Sequence, residues 1–202
     1  MSFFRKIRKS IYYDKNKPKT DSDAIFSLSS ATITLETKLG LKPTGRCALA
    51  AKSASGMYFN EMKEEIQRFL NISKPDFEIN YRMVIDSYGY LWVILMGRTI
   101  EDILAAITAV GDTMQEKGFS GQLLASIFEL RQEQKADSST ENDNMQYLIY
   151  NYKYNKFYPF VPFYGKKTRD TENEMRIMAT IKDEIPFEMD SAMWYPLWDL
   201  PF

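Results

Sequence analysis

The chain reads as an α+β fold: a twisted, mainly antiparallel sheet with helices packed against it. Three observations lead there. Strand-like segments come in adjacent pairs joined by short turns, as where Phe77, Ile79, Tyr81, Met83 and Ile85 alternate with Glu78, Asn80, Arg82 and Val84 before the turn Asp86-Ser-Tyr-Gly89. Segments of helical period, flanked by capping residues, fall between these pairs. The 202 residues are 45% apolar, enough for a substantial core, yet no apolar run approaches the roughly 18–20 residues of a membrane span.

Asp21-Ser-Asp23 offers N-caps, Ile25, Leu28, Thr32, Leu35 and Leu39 recur at helical spacing, and Gly40 stands where a C-cap belongs. Leu41-Lys-Pro-Thr-Gly45 reads as a turn and Arg46–Lys52 as a short strand of small residues. A second helix starts near Ser55, with Tyr58, Phe59, Met62, Ile66, Phe69 and Leu70 on one face. After the Phe77–Ile85 strand, Tyr90–Met96 is apolar on both faces, as a strand covered on both sides should be. Thr99 and Asp102 have capping-box spacing, opening a helix that turns Ile100, Ile103, Leu104, Ile107, Val110 and Met114 inward and stops at Lys117-Gly118.

Residues 121–130 read as a strand. The segment 131–144 has no aromatic residue and no Val, Ile, Leu or Met, so it is expected to be a polar loop inside a hairpin. Its partner strand carries Leu148, Tyr150, Tyr152 and Tyr154 on one face. Asp170 or Thr171 caps a last helix with Met175, Met178, Ile181 and Ile185 inward. The tail Met193–Phe202 holds too many prolines for a helix and too many rings to stay in water, so it should fold back on the body. Residues 21–202 are read as a single domain preceded by a basic arm and linker, 1–20.

Composition narrows the chemistry. The chain has no histidine and one cysteine, Cys47. A Ser-His-Asp or Cys-His nucleophile needs an imidazole, a structural zinc site needs about four Cys/His ligands, and a disulfide within the chain needs a second thiol. Cys47 sits among alanines, the setting of a buried, inert thiol. Gly40-Leu-Lys-Pro-Thr-Gly45 has the G-x₄-G frame of a phosphate loop but lacks the Lys-Ser/Thr that follows, and is read as a cap plus a turn. Glu61 and Glu65, one helical turn apart, are the best carboxylate pair for a hard cation such as Mg²⁺, and equally the ordinary solvated face of a helix.

Charge is unevenly spread. Residues 1–19 carry seven basic side chains against Asp14, net +6, so the remainder carries −7 of a total of −1. Phe3, Phe4 and Ile7 with Arg5, Lys6, Arg8 and Lys9 give an amphipathic basic segment suited to an anionic membrane surface, or to packing its rings on the body.

Aromatic residues are uneven too. Nine of the 29 fall in the 18 residues from Tyr147 to Tyr164, with Lys153 and Lys156 among them and Lys166, Lys167 and Arg169 just after. Ring platforms with basic neighbours bind single-stranded nucleic acid, but the acidic body opposes phosphate. Such rings equally form a protein interface or a core edge. Tyr150, Tyr152, Tyr154, Phe157, Tyr158, Phe160, Trp194 and Trp198 are therefore the candidate partner-binding residues.

Several segments together carry a family resemblance: Asp23-Ala-Ile-Phe-Ser-Leu-Ser-Ser-Ala31, Leu39-Gly-Leu-Lys-Pro-Thr-Gly45, Asp86-x-x-Gly89-x-Leu91-Trp92, Gly118-Phe119 with Gln122-Leu-Leu124, Lys156-Phe-Tyr-Pro-Phe-Val-Pro162, Asp183-Glu-Ile-Pro186 and Trp194-Tyr-Pro-Leu-Trp198. In this order, over about residues 23–198, the chain resembles the PspAB family. The resemblance implies association with PspA, a coiled-coil protein that coats stressed membranes. It transfers no catalytic residue, cofactor or metal. The order of elements is also similar to that of type III secretion chaperones and YbjN-like α+β sandwiches, an analogy of fold alone.

The expected function is a non-enzymatic adaptor in a membrane-stress system, cytoplasmic or peripheral at the inner face of the membrane. The alternatives are a carboxylate-dependent Mg²⁺ enzyme and a single-stranded RNA-binding module.

Overall fold

A computed structural model of the chain describes residues 21–132, 145–163 and 165–202. The basic arm, including Phe3, Phe4, Arg5, Lys6, Arg8 and Lys9, lies outside the described residues, as does 133–144 of the polar loop.

The elements in chain order are α1 (Asp21–Phe26), α2 (Leu28–Leu39), β1 (Leu41–Lys52), α3 (Met57–Phe77), β2 (Asn80–Ile85), β3 (Tyr90–Met96), α4 (Ile100–Glu116), β4 (Leu123–Gln132), β5 (Met145–Asn151), β6 (Lys156–Phe160) and α5 (Thr171–Ile181). The strands form one open sheet in the order β2-β3-β1-β4-β5-β6, with every neighbouring pair antiparallel. With helices packed on it, this is an α+β fold.

Local chemistry explains most boundaries. Gly40 closes α2 in the left-handed region at φ 67°, its N–H donating to Glu36 O at 2.9 Å. The helix expected across 21–39 is broken at Ser27, whose hydroxyl bonds back to Ala24 O. Thr99 caps α4 by accepting from Asp102 N at 3.2 Å, and Asp170 caps α5 by accepting from Asn173 N at 3.0 Å. In the β2–β3 turn, Asp86 accepts from the backbone N–H of Tyr88 and Tyr90 and from Trp92 Nε1, all at 2.8–2.9 Å. Burial pushes the Asp86 carboxyl up, but these bonds together hold it below the usual range.

Three expectations need correction. The strand expected from Phe77 starts at Asn80, because α3 continues to Phe77 and ends on Glu78 with φ 47°. Tyr58, Ile85 and Met175, expected inward, are exposed. The turn expected at Leu41–Gly45 is instead the first part of β1. Pro43 pairs with Leu130 and Cys47 with Phe128, so β1 uses four steps where β4 uses two, a bulge at Thr44-Gly45-Arg46. Gly45 sits at φ +81°, and a side chain there would run into Gly97 O.

Strand alternation divides the sheet into two faces. One holds Cys47, Leu49 and Ala51 of β1, Val93 and Leu95 of β3, Phe128 of β4, Tyr150 of β5 and Phe157 of β6. Helices α2, α4 and α5 pack on this face, and α3 lies against α4 beside β2, where Tyr81 Oη donates to Asn71 Oδ1 at 2.9 Å. Cys47 is wholly buried and its thiol is pushed up by burial, as an inert core thiol should be. The edge of β6 is closed by a short parallel pairing with residues 186–188: Phe157 N donates to Pro186 O and Glu188 N to Phe157 O, each at 2.8 Å.

The opposite face carries Arg46, Glu129, Tyr147, Ile149, Tyr158 and Phe160. Residues 194–202 cross it as a strap. Among the described residues, no helix is long and apolar enough to cross a membrane.

Candidate functional site

The bulge in β1 turns both Thr44 and Arg46 toward a single carboxylate. Thr44 Oγ1 donates to Glu129 Oε1 at 2.7 Å, and Arg46 Nη1 lies 3.4 Å from the same oxygen. Glu129 is 3% exposed. A buried carboxylate is tolerable only when so paired. Next to Glu129 in register stands Tyr147, and next to Tyr147 stands Phe160. Arg46, Glu129, Tyr147 and Phe160 thus form one row across four strands.

This row is the floor of a cleft of about 570 Å³. One wall is the loop after β6, with Phe163, Lys166 and Lys167; the other is the strap, with Leu197, Trp198, Leu200 and Phe202. The Phe202 ring stacks on Tyr147 at 5.9 Å between centroids and 4° between planes, and the Arg46 guanidinium lies over it at 5.4 Å. Trp198 meets Phe160 edge to face at 5.1 Å. Burial, reinforced by the negative charge of Glu129 and opposed by Arg46, pushes the Tyr147 phenol up to about 12. It is therefore neutral at physiological pH.

The strap is tied down along its length. Arg169 is the main anchor: Nε donates to Glu174 Oε1 at 2.9 Å and Nη1 to Trp194 O at 2.6 Å, with its guanidinium over Phe160. Glu174 is 1% exposed and also accepts from Val161 N at 2.9 Å. Trp194 Nε1 donates to Glu188 O at 2.8 Å, Tyr158 Oη to Tyr195 O at 3.1 Å, and Arg82 Nη2 to Pro201 O. Lys167 Nζ pairs with Asp199 at 3.2 Å.

Most of the candidate rings are interior. Tyr150, Phe157, Tyr158, Phe160, Tyr152 and Trp194 are all buried, the core-edge alternative among those the rings left open. The cause is strand alternation and side-chain area: rings of 150 Å² or more on both faces of a sheet are covered by whatever crosses it. Tyr150 and Phe157 pack at 5.0 Å under the helices. Tyr152 reaches α4, its hydroxyl 2.9 Å from that of Ser126, and fits because Gly111 has no side chain: a Cβ there would stand 3.1 Å from Tyr152 Oη. Of the eight, Trp198 is half-buried in the cleft wall, and Tyr154 is 37% exposed with Lys153 Nζ over its ring.

Neither alternative chemistry finds its geometry. Glu61 and Glu65 are exposed and Glu65 pairs with Lys117 at 2.7 Å. Among the described residues, no group of three or more Cys, Asp or Glu could hold a metal ion. Of the stacked, exposed rings that single-stranded RNA would need at Tyr152, Tyr154 and Phe157, Tyr152 and Phe157 are buried, which leaves Tyr154 without a stacked pair from this set. Sequence reasoning met Thr44, Lys166 and Phe202 only as parts of a turn, a basic cluster and a returning tail, and missed Glu129. The available signal was Glu129, the lone charge in Leu123–Leu130.

These features define an α+β sheet protein with an aromatic-floored cleft, roofed on one side by its own tail. The family model for PspAB, PspA associated protein B, matches residues 1–202, and the chain belongs to that family. No curated protein and no solved structure matches it. The likeness to type III secretion chaperones and YbjN thus rests on element order alone.

Proposed function

We propose that the protein is a non-enzymatic adaptor that binds a PspA-type coiled coil at the inner face of a stressed membrane. The match of the PspAB family model to the whole chain carries this reading, since association with PspA is what the family is named for. The site's chemistry supports binding over catalysis. Glu129 is engaged by Thr44 and Arg46, and Tyr147 keeps its proton, so the cleft offers shape, rings and ammonium groups. The basic segment 1–19 adds attraction to an anionic surface.

Calorimetric titration of the full chain with purified PspA from the same organism tests the adaptor role, with a saturable complex expected. Absence of any heat or co-elution overturns it. For the arm, deletion of residues 1–19 is expected to abolish co-sedimentation with phosphatidylglycerol vesicles at low salt. Vesicle binding undiminished by the deletion removes the arm from the mechanism.

A further inference from the structure

We propose that the cleft is the partner-binding site, and that it recognises an acidic amphipathic peptide segment: a large apolar side chain enters over Phe160 and Trp198 while a neighbouring carboxylate pairs with Lys166. This rests on the adaptor reading and adds to it a place and a chemistry.

Three observations carry it. The rings and leucines of the floor and walls (Tyr147, Phe160, Trp198, Leu200) stand beside Arg46, Glu129 and the loop lysines, and the volume lies within the roughly 300–1,000 Å³ of ligand-binding clefts. Phe163 on the loop is 48% exposed, a large ring facing solvent beside the rings and leucines of the cleft. The charges at the mouth are unequal. Lys167 is already answered by Asp199, whereas Lys166 is exposed and has no ion-pair partner among the described residues. The buried Glu129 does not repel an incoming acid, because Arg46 neutralises it.

The strap displays the chemistry this surface accepts. In Trp198-Asp199-Leu200, the ring and the leucine line the cleft while the intervening carboxylate meets a loop lysine. A partner segment pairing an apolar anchor with an acid repeats that arrangement on the remaining lysine.

The test compares full-length wild type with Lys166→Glu, Phe163→Asp and, as a control away from the cleft, Lys74→Glu on α3, each titrated with purified PspA from the same organism. All three positions are exposed, and thermal unfolding checks that each variant keeps its fold. We expect each cleft variant to weaken binding by about tenfold or more and the control to bind within about twofold of wild type. Cleft variants that bind like wild type overturn the site and leave the adaptor role standing. No binding by the wild type overturns the adaptor role, and the site with it. If Lys166→Glu keeps PspA binding but loses phosphatidylglycerol vesicles, the cleft reads lipid and the peptide assignment is overturned.

Discussion

On the helix side of the sheet, Tyr150, Tyr152 and Phe157 interlock with Phe128, and Gly111 is cut back so that a phenol can lie against α4. On the strap side, Tyr147 and Phe160 meet Phe202 and Trp198, yet a cleft of about 570 Å³ remains. The residue types are the same and the coverings differ. A helix presents a continuous row of side chains every turn and can be drawn close to a sheet wherever a glycine allows. The strap carries Pro196 and Pro201, which cannot donate backbone hydrogen bonds, so it is held at separate points by Arg169, Tyr158 and Arg82. Regular packing makes core; an irregular cover leaves a place to bind.

Four experiments sharpen or break this contrast. Phe157→Ala, on the helix side, should cost about 3–5 kcal/mol in denaturant unfolding, the usual range for a buried ring. Glu174→Ala should cost about 3 kcal/mol, because it strands the Arg169 guanidinium in a largely buried site. Hydrogen exchange should then quicken in residues 194–202, which Arg169 holds through Trp194 O; strap protection unchanged from wild type would remove Arg169 as the anchor. Trp198→Ala, on the strap side, should cost only about 1–2 kcal/mol while widening the cleft. A loss as large as that of Phe157→Ala would make the strap part of the core and erase the distinction between the faces.

The smallest effect is one of pH. Burial holds the Glu174 carboxyl above its ordinary range, with Asp170 adding to the shift and the donors Arg169 and Val161 opposing it. A folded-state pKa above the unfolded value means that the folded protein binds the proton more tightly. Wild-type stability relative to Glu174→Gln should therefore rise as pH falls through the window just above the ordinary glutamate value of about 4.3. A difference independent of pH across that window would place the carboxyl outside the buried pair.

Much of the local structure was legible. The Gly40, Thr99 and Asp170 caps and the Asp86–Gly89 turn follow from residue type and spacing, because they depend on contacts within a few residues; the return of the tail follows from its rings and prolines, though not the place where it lands. What was not legible depends on contacts far apart in the chain. Nothing local tells Tyr152 that α4 will lie against it at Gly111, or Tyr58 that its side of α3 will face water. The β1 bulge was hidden because Pro-Thr-Gly is a turn signal in isolation, and only the pairing with β4 and the approach of Gly97 make it an irregular strand.

By itself the sequence determined the α+β class, the exclusion of imidazole and disulfide chemistry, and the concentration of rings in two segments, since composition and periodicity suffice for these. Only the tertiary structure decided which rings are core and where a cleft stays open. Alternation sends neighbouring side chains to opposite faces, and which face stays open depends on the element that crosses it. Here that element is the tail, which covers Phe160 and Tyr158 and leaves Lys166, Phe163 and part of Trp198 at an open cleft.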